Sequence, residues 1–388
     1  MKNESKIKCC LLACCVVLEG GMIAACGGEG HDTPSVQKEV AKHTHIIWTG
    51  DSVRIATGGY GRVKDVGNGR LMAVYEHEGS GCYKFSHDGG RSWGAETILF
   101  PRMTEQGVAI NMANAELIRL STGELIFAMN RRPQRDGVVP FGIILRRSTD
   151  GGATWSDEQV IYEAGKEFGN GCWEPAFLEL PDGTVQIYFA NEGPYTHSDE
   201  QEISMLSSDD KGATWSTTPV KVCFRNGHRD GMPVPALFGH DIVVAIEDNG
   251  GNGRFKPYTV RTSLADNWHT FVDGDSPYRH AALKDPMDAH EVGSAPYLIC
   301  LPTGEALLSY QTTEGRNAEA DPMARCTMEV ALGDKEALNF VKVDRPFRLR
   351  PDANALWNSL VVIDANTVGA VAGIDGGIVL KRGLLVRR

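Results

Sequence analysis

Apolar runs alternate with short polar turns along most of the chain, and the alternation repeats as a unit. Each unit is an apolar run, a polar or Gly turn, and a second apolar run. The copies are Arg62–Tyr75 around Asn68-Gly69, Ala115–Met129 around Thr122-Gly123, and Pro175–Phe189 around Asp182-Gly183. They continue as Pro233–Ile246 around Gly239-His240, Ala295–Tyr310 around Thr303-Gly304, and Trp357–Ala372 around Ala365-Asn366. Turn signals between β-rich runs mean hairpins. Successive turns lie about 59 residues apart, a period that marks a repeat architecture. Six such units predict an all-β fold, a six-bladed β-propeller. An α-solenoid is the rival, disfavoured by the Gly-rich hairpins and β-branched runs.

A second, sharper repeat lies between the hairpins. The pattern Ser-x-Asp-x-Gly-x-Ser/Thr-Trp occurs at Ser86–Trp93, Ser148–Trp155 and Ser208–Trp215. Asp and Ser/Thr side chains bond nearby turn amides, Gly takes backbone angles other residues resist, and Trp fills a gap between layers. The pattern is therefore read as a structural staple, with Asp88, Asp150 and Asp210 outside the chemistry. It resembles the Asp-box, or BNR, repeats of sialidase-like β-propellers. Ser263 to Trp268 reads as a decayed fourth copy. The boxes are expected in the outer hairpins of blades one to three.

The N-terminus is read as an address. Lys2, Lys6 and Lys8 precede the apolar run Cys9 to Leu18, too short to span a bilayer. Ile23-Ala24-Ala25-Cys26 resembles a bacterial lipobox, although Glu19 departs from that pattern. The expected division is a signal peptide at 1–25, a tether from Cys26 to residue 45, and the propeller at 46–388. Cys26 would carry lipid and anchor the protein to the cell envelope of a bacterium; plain secretion is the alternative. Composition agrees with a folded domain: 388 residues, 42% hydrophobic and 23% charged. The net charge of −11 disfavours nucleic acid as a partner. A monomer is expected. Beyond the tether Cys82, Cys172, Cys223, Cys300 and Cys326 remain, without CxxC spacing, and read as buried free thiols.

Propeller topology locates the chemistry before any motif does. Residues just before the first strand of a blade and just after the second converge on one mouth. The starts supply Arg62, Asn111, Asn114, Trp173, Glu174, Arg229, Asp230, Glu291, Trp357 and Asn358. The returns supply Glu76, His77, Asn130, Arg131, Asn191, Glu192, Glu247, Asp248, Tyr310, Gln311 and Asp375. Amides, charges, rings and carboxylates in that density suit a sugar site. The bland alternative is a solvated loop face. Glu174 and Glu247 fall in neighbouring blades beside apolar residues that could hold one carboxyl protonated. Glu76, Glu192, Asp230 and Glu291 are rivals, any of which could instead hydrogen-bond substrate; Glu192 is the strongest as acid and is also a candidate substrate contact. Trp173 and Trp357 offer stacking faces, and Arg62, Asn114, Asn130, Arg229, Asp230 and Asn358 are candidate substrate contacts.

With its blade count, Trp173-Glu174-Pro175, Glu247 and Leu308-Ser309-Tyr310-Gln311, the chain resembles glycoside hydrolase family 93, the exo-α-1,5-L-arabinanases. The resemblance implies a retaining exo-glycosidase with Glu174 as nucleophile and Glu247 as general acid/base, roles that could be exchanged. It places Tyr310 beside the nucleophile. Sialidases, which share the Asp-boxes, grip a carboxylate with three Arg and attack with a Tyr. Arg62 and Arg229 could serve, but blade five starts without Arg and blade six without Tyr. A glycan-binding propeller without activity is the reading from another class. No HExxH, P-loop or GxSxG occurs. Asp273-Gly274-Asp275 reads as a turn rather than a calcium loop, the His residues show no ligand spacing, and no cofactor or metal is expected.

Overall fold

The structure, a computed structural model, describes residues 44–316 and 325–387. The expected signal peptide, Cys26 and the tether up to residue 43 lie outside the described residues. Strand β1 (Thr44–Thr57) enters first. Blade one is β2 (Gly59–Asp65), β3 (Leu71–His77), β4 (Ser80–Ser86) and β5 (Thr97–Phe100). Blade two has five strands: β6 (Met103–Glu105), β7 (Val108–Arg119), β8 (Leu125–Pro133), β9 (Gly142–Ser148) and β10 (Gln159–Glu163). Blade three is β11 (Cys172–Glu179), β12 (Val185–Asn191), β13 (Glu202–Ser208) and β14 (Val220–Cys223). Blade four is β15 (Asp230–Phe238), β16 (Asp241–Asp248), β17 (Lys256–Ser263) and β18 (Arg279–Ala281). Blade five is β19 (Gly293–Cys300), β20 (Ala306–Thr312), β21 (Thr327–Leu332) and β22 (Val341–Asp344). Blade six joins β23 (Leu356–Asp364), β24 (Thr367–Ile374) and β25 (Gly377–Arg387) to β1.

The chain is thus a six-bladed β-propeller. Its ring is closed by β1, which pairs antiparallel with β25 from Thr44↔Arg387 to Thr57↔Gly377. Thr44 and His45, assigned to the tether from sequence, belong to that closing strand. Counting blade two from β7, with β6 an added strand, the first strand of each blade (β2, β7, β11, β15, β19 and β23) packs against the first strands of both neighbours, so these six line the axis.

The second strands explain the continuous apolar runs. Leu71 to Tyr75, Leu125 to Met129 and Ile242 to Ile246 are buried throughout. Each lies inside a sheet whose two faces press on neighbouring blades, so both side-chain directions are apolar.

The three Asp-boxes sit in the turns between third and fourth strands, as the repeat predicts. In each, the Ser hydroxyl donates to the Asp carboxylate at 2.8 Å. The Ser oxygen also accepts the amide of the Gly four residues on, at 2.8–2.9 Å. The Asp then accepts the Ser/Thr hydroxyl and amide four residues on. Blade four departs from this. Trp268 is fully buried there and donates its indole N–H to Tyr188 Oη at 2.9 Å. Among the described residues all five cysteines are free; Cys300 is exposed, against the expectation for a thiol.

Candidate active site

One backbone device recurs in all six first strands. Each carries a bulge near its start and, within it, a non-glycine residue of positive φ: Tyr60 (52°), Asn114 (54°), Glu174 (60°), Met232 (51°), Ala295 (47°) and Trp357 (53°). A left-handed non-glycine residue costs of order 1–3 kcal/mol, so six in register need support from their surroundings. The support comes from the second strand of the preceding blade. Asn130 Oδ1 accepts the Glu174 amide at 2.8 Å, Glu247 Oε2 the Ala295 amide at 2.8 Å, and Gln311 Oε1 the Trp357 amide at 2.9 Å. These three acceptors are equivalent: each pairs with the residue just before the bulge of its own blade. In blade three the equivalent position is Ala190, which has no acceptor. There Glu174 itself supplies the bond, its Oε2 accepting the Met232 amide at 2.9 Å.

Both carboxyls are therefore held by backbone amides at the mouth. Glu247 Oε1 lies 3.0 Å from where a Cβ on Gly231 would stand, and Glu174 bonds the next residue's amide. One peptide unit thus spans the gap between them, and their separation is below about 10 Å. Both are half-buried. Burial pushes both carboxyls above the usual range, and Glu174 is raised further by the charge of Glu247. Arg229 pulls both down. Two such groups titrate as a pair. The arrangement can keep one proton on two neighbouring acids near neutrality, which is what acid/base chemistry at a glycosidic bond requires.

A cluster flanks the pair. Glu192, the rival acid, is buried, accepts the Trp173 indole N–H at 2.9 Å and is ion-paired to Arg229. Arg229 also donates to Gln201 Oε1 at 2.6 Å and to the Asp199 carbonyl at 2.7 Å. Glu192 is thus committed as an anchor, and Trp173 is packed edge-on to Phe141 rather than offered as an open stacking face.

Several expected substrate contacts are framework instead. Arg62 is buried on the axis, bonded to the Trp357 carbonyl at 3.0 Å and 3.6 Å from Glu116. Its guanidinium lies 3.9 Å over the Tyr60 ring, so it backs the apolar cluster of the mouth from within the core. Asp230 is fully buried and bidentate to Arg279, at 2.7 and 2.8 Å. Asn358 is fully buried between the Ala295 carbonyl and Ser309. Asn130 is likewise buried and spends its amide on the Cys172 carbonyl and the Glu174 amide. Tyr310 does not accompany Glu174. It lies in the core of blade five, its hydroxyl influenced by Glu329, Glu314 and Glu291. The position equivalent to Glu247 in that blade is its neighbour, Gln311. Asn114 and Trp357 do lie at bulge positions of the mouth.

Sequence reasoning missed Tyr60, Met232 and Ala295, which with Trp357 form an apolar cluster at the mouth. The signal was present: Glu174, Met232 and Ala295 each precede a proline, at Pro175, Pro233 and Pro296. Also missed was a polar crevice of about 470 Å³ between blades one and two, lined by Glu76, Glu78, Asn111, Arg132 and Gln134. Burial pushes the Glu76 carboxyl up to about 7. Arg132 lies 5.7 Å from the Trp173 ring centre and so joins this crevice to the Glu192 cluster. Asp273 accepts the Asp275 amide at 3.0 Å, the geometry of a turn.

Fold and site together define a class: a sialidase-like six-bladed propeller with an acidic mouth. Comparison with known proteins agrees. Residues 134–222 match the model of the BNR repeat-like domain. A sialidase of Micromonospora viridifaciens is 32% identical over 138 residues, 30% of this chain and 21% of that protein. The match thus spans about a fifth of that relative's length. Among solved structures, the family 93 α-L-arabinofuranosidase of Fusarium graminearum with arabinobiose superposes with a TM-score of 0.65 at 17% identity, over 87% of this chain and 98% of that one. The Penicillium chrysogenum α-L-arabinanase, also with arabinobiose, gives 0.64 at 17% identity, over 86% and 97%. At that identity the likeness is one of fold.

Proposed function

We propose that the protein is a retaining exo-glycosidase acting on glycans, with α-1,5-L-arabinan as first substrate. The observation that carries the reading is the Glu174–Glu247 pair, two amide-held carboxyls of raised proton affinity on one peptide unit at the propeller mouth. Glu174 attacks the anomeric carbon, and the C–O bond to the leaving group breaks as Glu247 gives its proton to that oxygen. Glu247 then takes a proton from water, which displaces Glu174 and releases the sugar. The roles are those the family resemblance implies; each carboxyl accepts one backbone amide, and burial raises both. At the positions equivalent to Glu247, neutral Asn130 and Gln311 hold the same bond, so Glu247 keeps it when protonated and has a second oxygen for the mouth.

A neutral sugar is favoured. Arg62 is spent on Glu116 and Arg229 on Glu192, so neither is free to grip a carboxylate, and Tyr60, Met232 and Trp357 give the mouth an apolar floor. The two fungal structures of like fold hold arabinobiose. The test is product release from arabinan, sialosides and other plant glycans, with anomeric configuration followed by NMR. Arabinan cleavage with retention supports the reading. Sialic acid release, inversion, or glycan binding without product refutes it. Export with lipid on Cys26 is part of the proposal; fatty-acid labelling that persists after Cys26→Ala would refute it.

A further inference from the structure

Blade one carries a second cluster that the mouth does not use. His77 at the end of β3, Cys82 in β4 and Glu96 in the segment entering β5 place one donor atom each within 4.8 Å of one another. Glu76, next to His77, faces the mouth crevice, and successive strand residues point to opposite faces, so this trio lies behind the crevice wall.

We propose that His77 Nδ1, Cys82 Sγ and Glu96 form a zinc site that ties the β3–β4 hairpin to the segment following the first Asp-box. Three features carry it. The donors are one nitrogen, one sulfur and one carboxylate, the ligand types of four-coordinate Zn²⁺. The spacing is compatible: Nδ1 stands 3.1 and 3.2 Å from the two Glu96 oxygens, and Cys82 Sγ lies within 4.8 Å of both partners. Metal–ligand bonds of about 2.0–2.3 Å at tetrahedral angles give ligand–ligand edges of about 3.3–3.6 Å, so the His77–Glu96 edge is nearly in place and the Cys82 thiol closes on the ion by about 1 Å or less. The carboxylate is already oriented from behind, because the buried Tyr75 donates its hydroxyl to Glu96 Oε2 at 2.7 Å. Such outer contacts accompany metal ligands. His77 and Glu96 are partly exposed, at 27% and 29%, which leaves an entry path and a fourth position for water. Cys82 faces the apolar packing between blades one and six, so the ion would sit where a polar edge meets the core.

Spacing along the chain hides the site, since His77, Cys82 and Glu96 come together only through the hairpin and the turn holding Trp93. The test is titration of the full-length chain with Co²⁺, followed by competition with Zn²⁺. Expected is one equivalent of four-coordinate Co²⁺ with a thiolate charge-transfer band, displaced by Zn²⁺. His77→Ala and Cys82→Ala should each abolish the band, and Tyr75→Phe should weaken Zn²⁺ binding about 10–100-fold. His77→Ala keeps every cysteine, so loss of the band there assigns it to this trio and not to other thiols. Its thermal unfolding in chelator, matched to wild type, serves as the folding control. Absence of the thiolate band in wild type, or its survival in His77→Ala, overturns the proposal.

Discussion

Glu247 has two separable duties, one to the backbone and one to the chemistry, and paired substitutions pull them apart. Its Oε2 accepts the Ala295 amide at 2.8 Å, and Ala295 is fully buried. In Glu247→Gln an amide oxygen takes the same place, as Gln311 does for Trp357. In Glu247→Ala the Ala295 N–H loses its acceptor, and an unsatisfied buried donor costs about 1–3 kcal/mol. Glu247→Gln also removes a carboxyl whose proton affinity burial raises, which relieves the folded state near neutral pH. The Ala variant should therefore be less stable than the Gln variant by about 1–3 kcal/mol. Activity should not follow that order, because both variants lack the proton donor and lose about 10²–10⁴-fold in rate. Urea unfolding monitored by tryptophan fluorescence, beside hydrolysis of the substrate identified by the product screen, reads both quantities. Equal stability of the two variants refutes the backbone role. Wild-type activity in the Gln variant refutes the catalytic one.

Leaving-group dependence separates the two acids: Glu247→Gln should recover much of its rate on an aryl glycoside with an acidic phenol, whereas Glu174→Gln should stay inactive on every substrate, and the opposite pattern exchanges their roles. Arg229→Met removes the cation that lowers both carboxyls, so both limbs of the pH–rate profile should move upward by about one unit or more; an unmoved profile contradicts the electrostatic link. Glu76 binds its proton more tightly folded, up to about 7 from 4.5, so stability should fall as pH rises through that window, by at most about 3 kcal/mol, and Glu76→Gln should flatten the fall in urea midpoints. Asp150 is held down to about 2 by bonds from Thr154 and Ser148, so its contribution is present above pH 3.8 and fades toward 2; Asp150→Ala should lower the urea midpoint at pH 7 and approach wild type in acid.

The architecture was legible because propellers repeat, and repetition turns weak local signals into a strong one. Asn68-Gly69 or Thr122-Gly123 alone marks a turn; six such turns at one period mark a ring. The Asp-boxes were legible for a further reason: all their bonds close within eight residues. The fifth strand of blade two and the closing pair β1–β25 were not, since both depend on contacts between distant segments. At the mouth, topology named the correct ends of the strands but not the register. Arg62 and Tyr60 differ by two places: Tyr60 joins the apolar cluster of the mouth, whereas Arg62 is buried against its ring and held by Glu116 and the Trp357 carbonyl. Tyr310 and Gln311 differ by one, and a one-residue step in a strand exchanges one face for the other.

That register also shows how a structural ring can come to hold two acids side by side. Six strained residues point at one mouth, and an acceptor from the preceding blade steadies at least three of their amides. Any acceptor serves this purpose, an amide oxygen as well as a carboxylate. Blade four uses Glu247, which satisfies the backbone and brings an acid to the mouth together. Blade three has Ala190 at the acceptor position, so Glu174 bends to the Met232 amide and is fixed against the adjoining residue. Blades one and six depart from a neutral amide acceptor as well, with Glu76 and Gly373 at this position, but the departures at Ala190 and Glu247 fall in adjacent blades. They meet on one peptide because each blade's acceptor reaches toward the next blade's bulge. Proximity of the acids is thus a consequence of the repeat, and Ala190→Asn, which offers Met232 a neutral acceptor, should loosen Glu174 and lower kcat with little change in KM. A variant with unchanged kcat would mean that the Met232 amide does not hold the nucleophile.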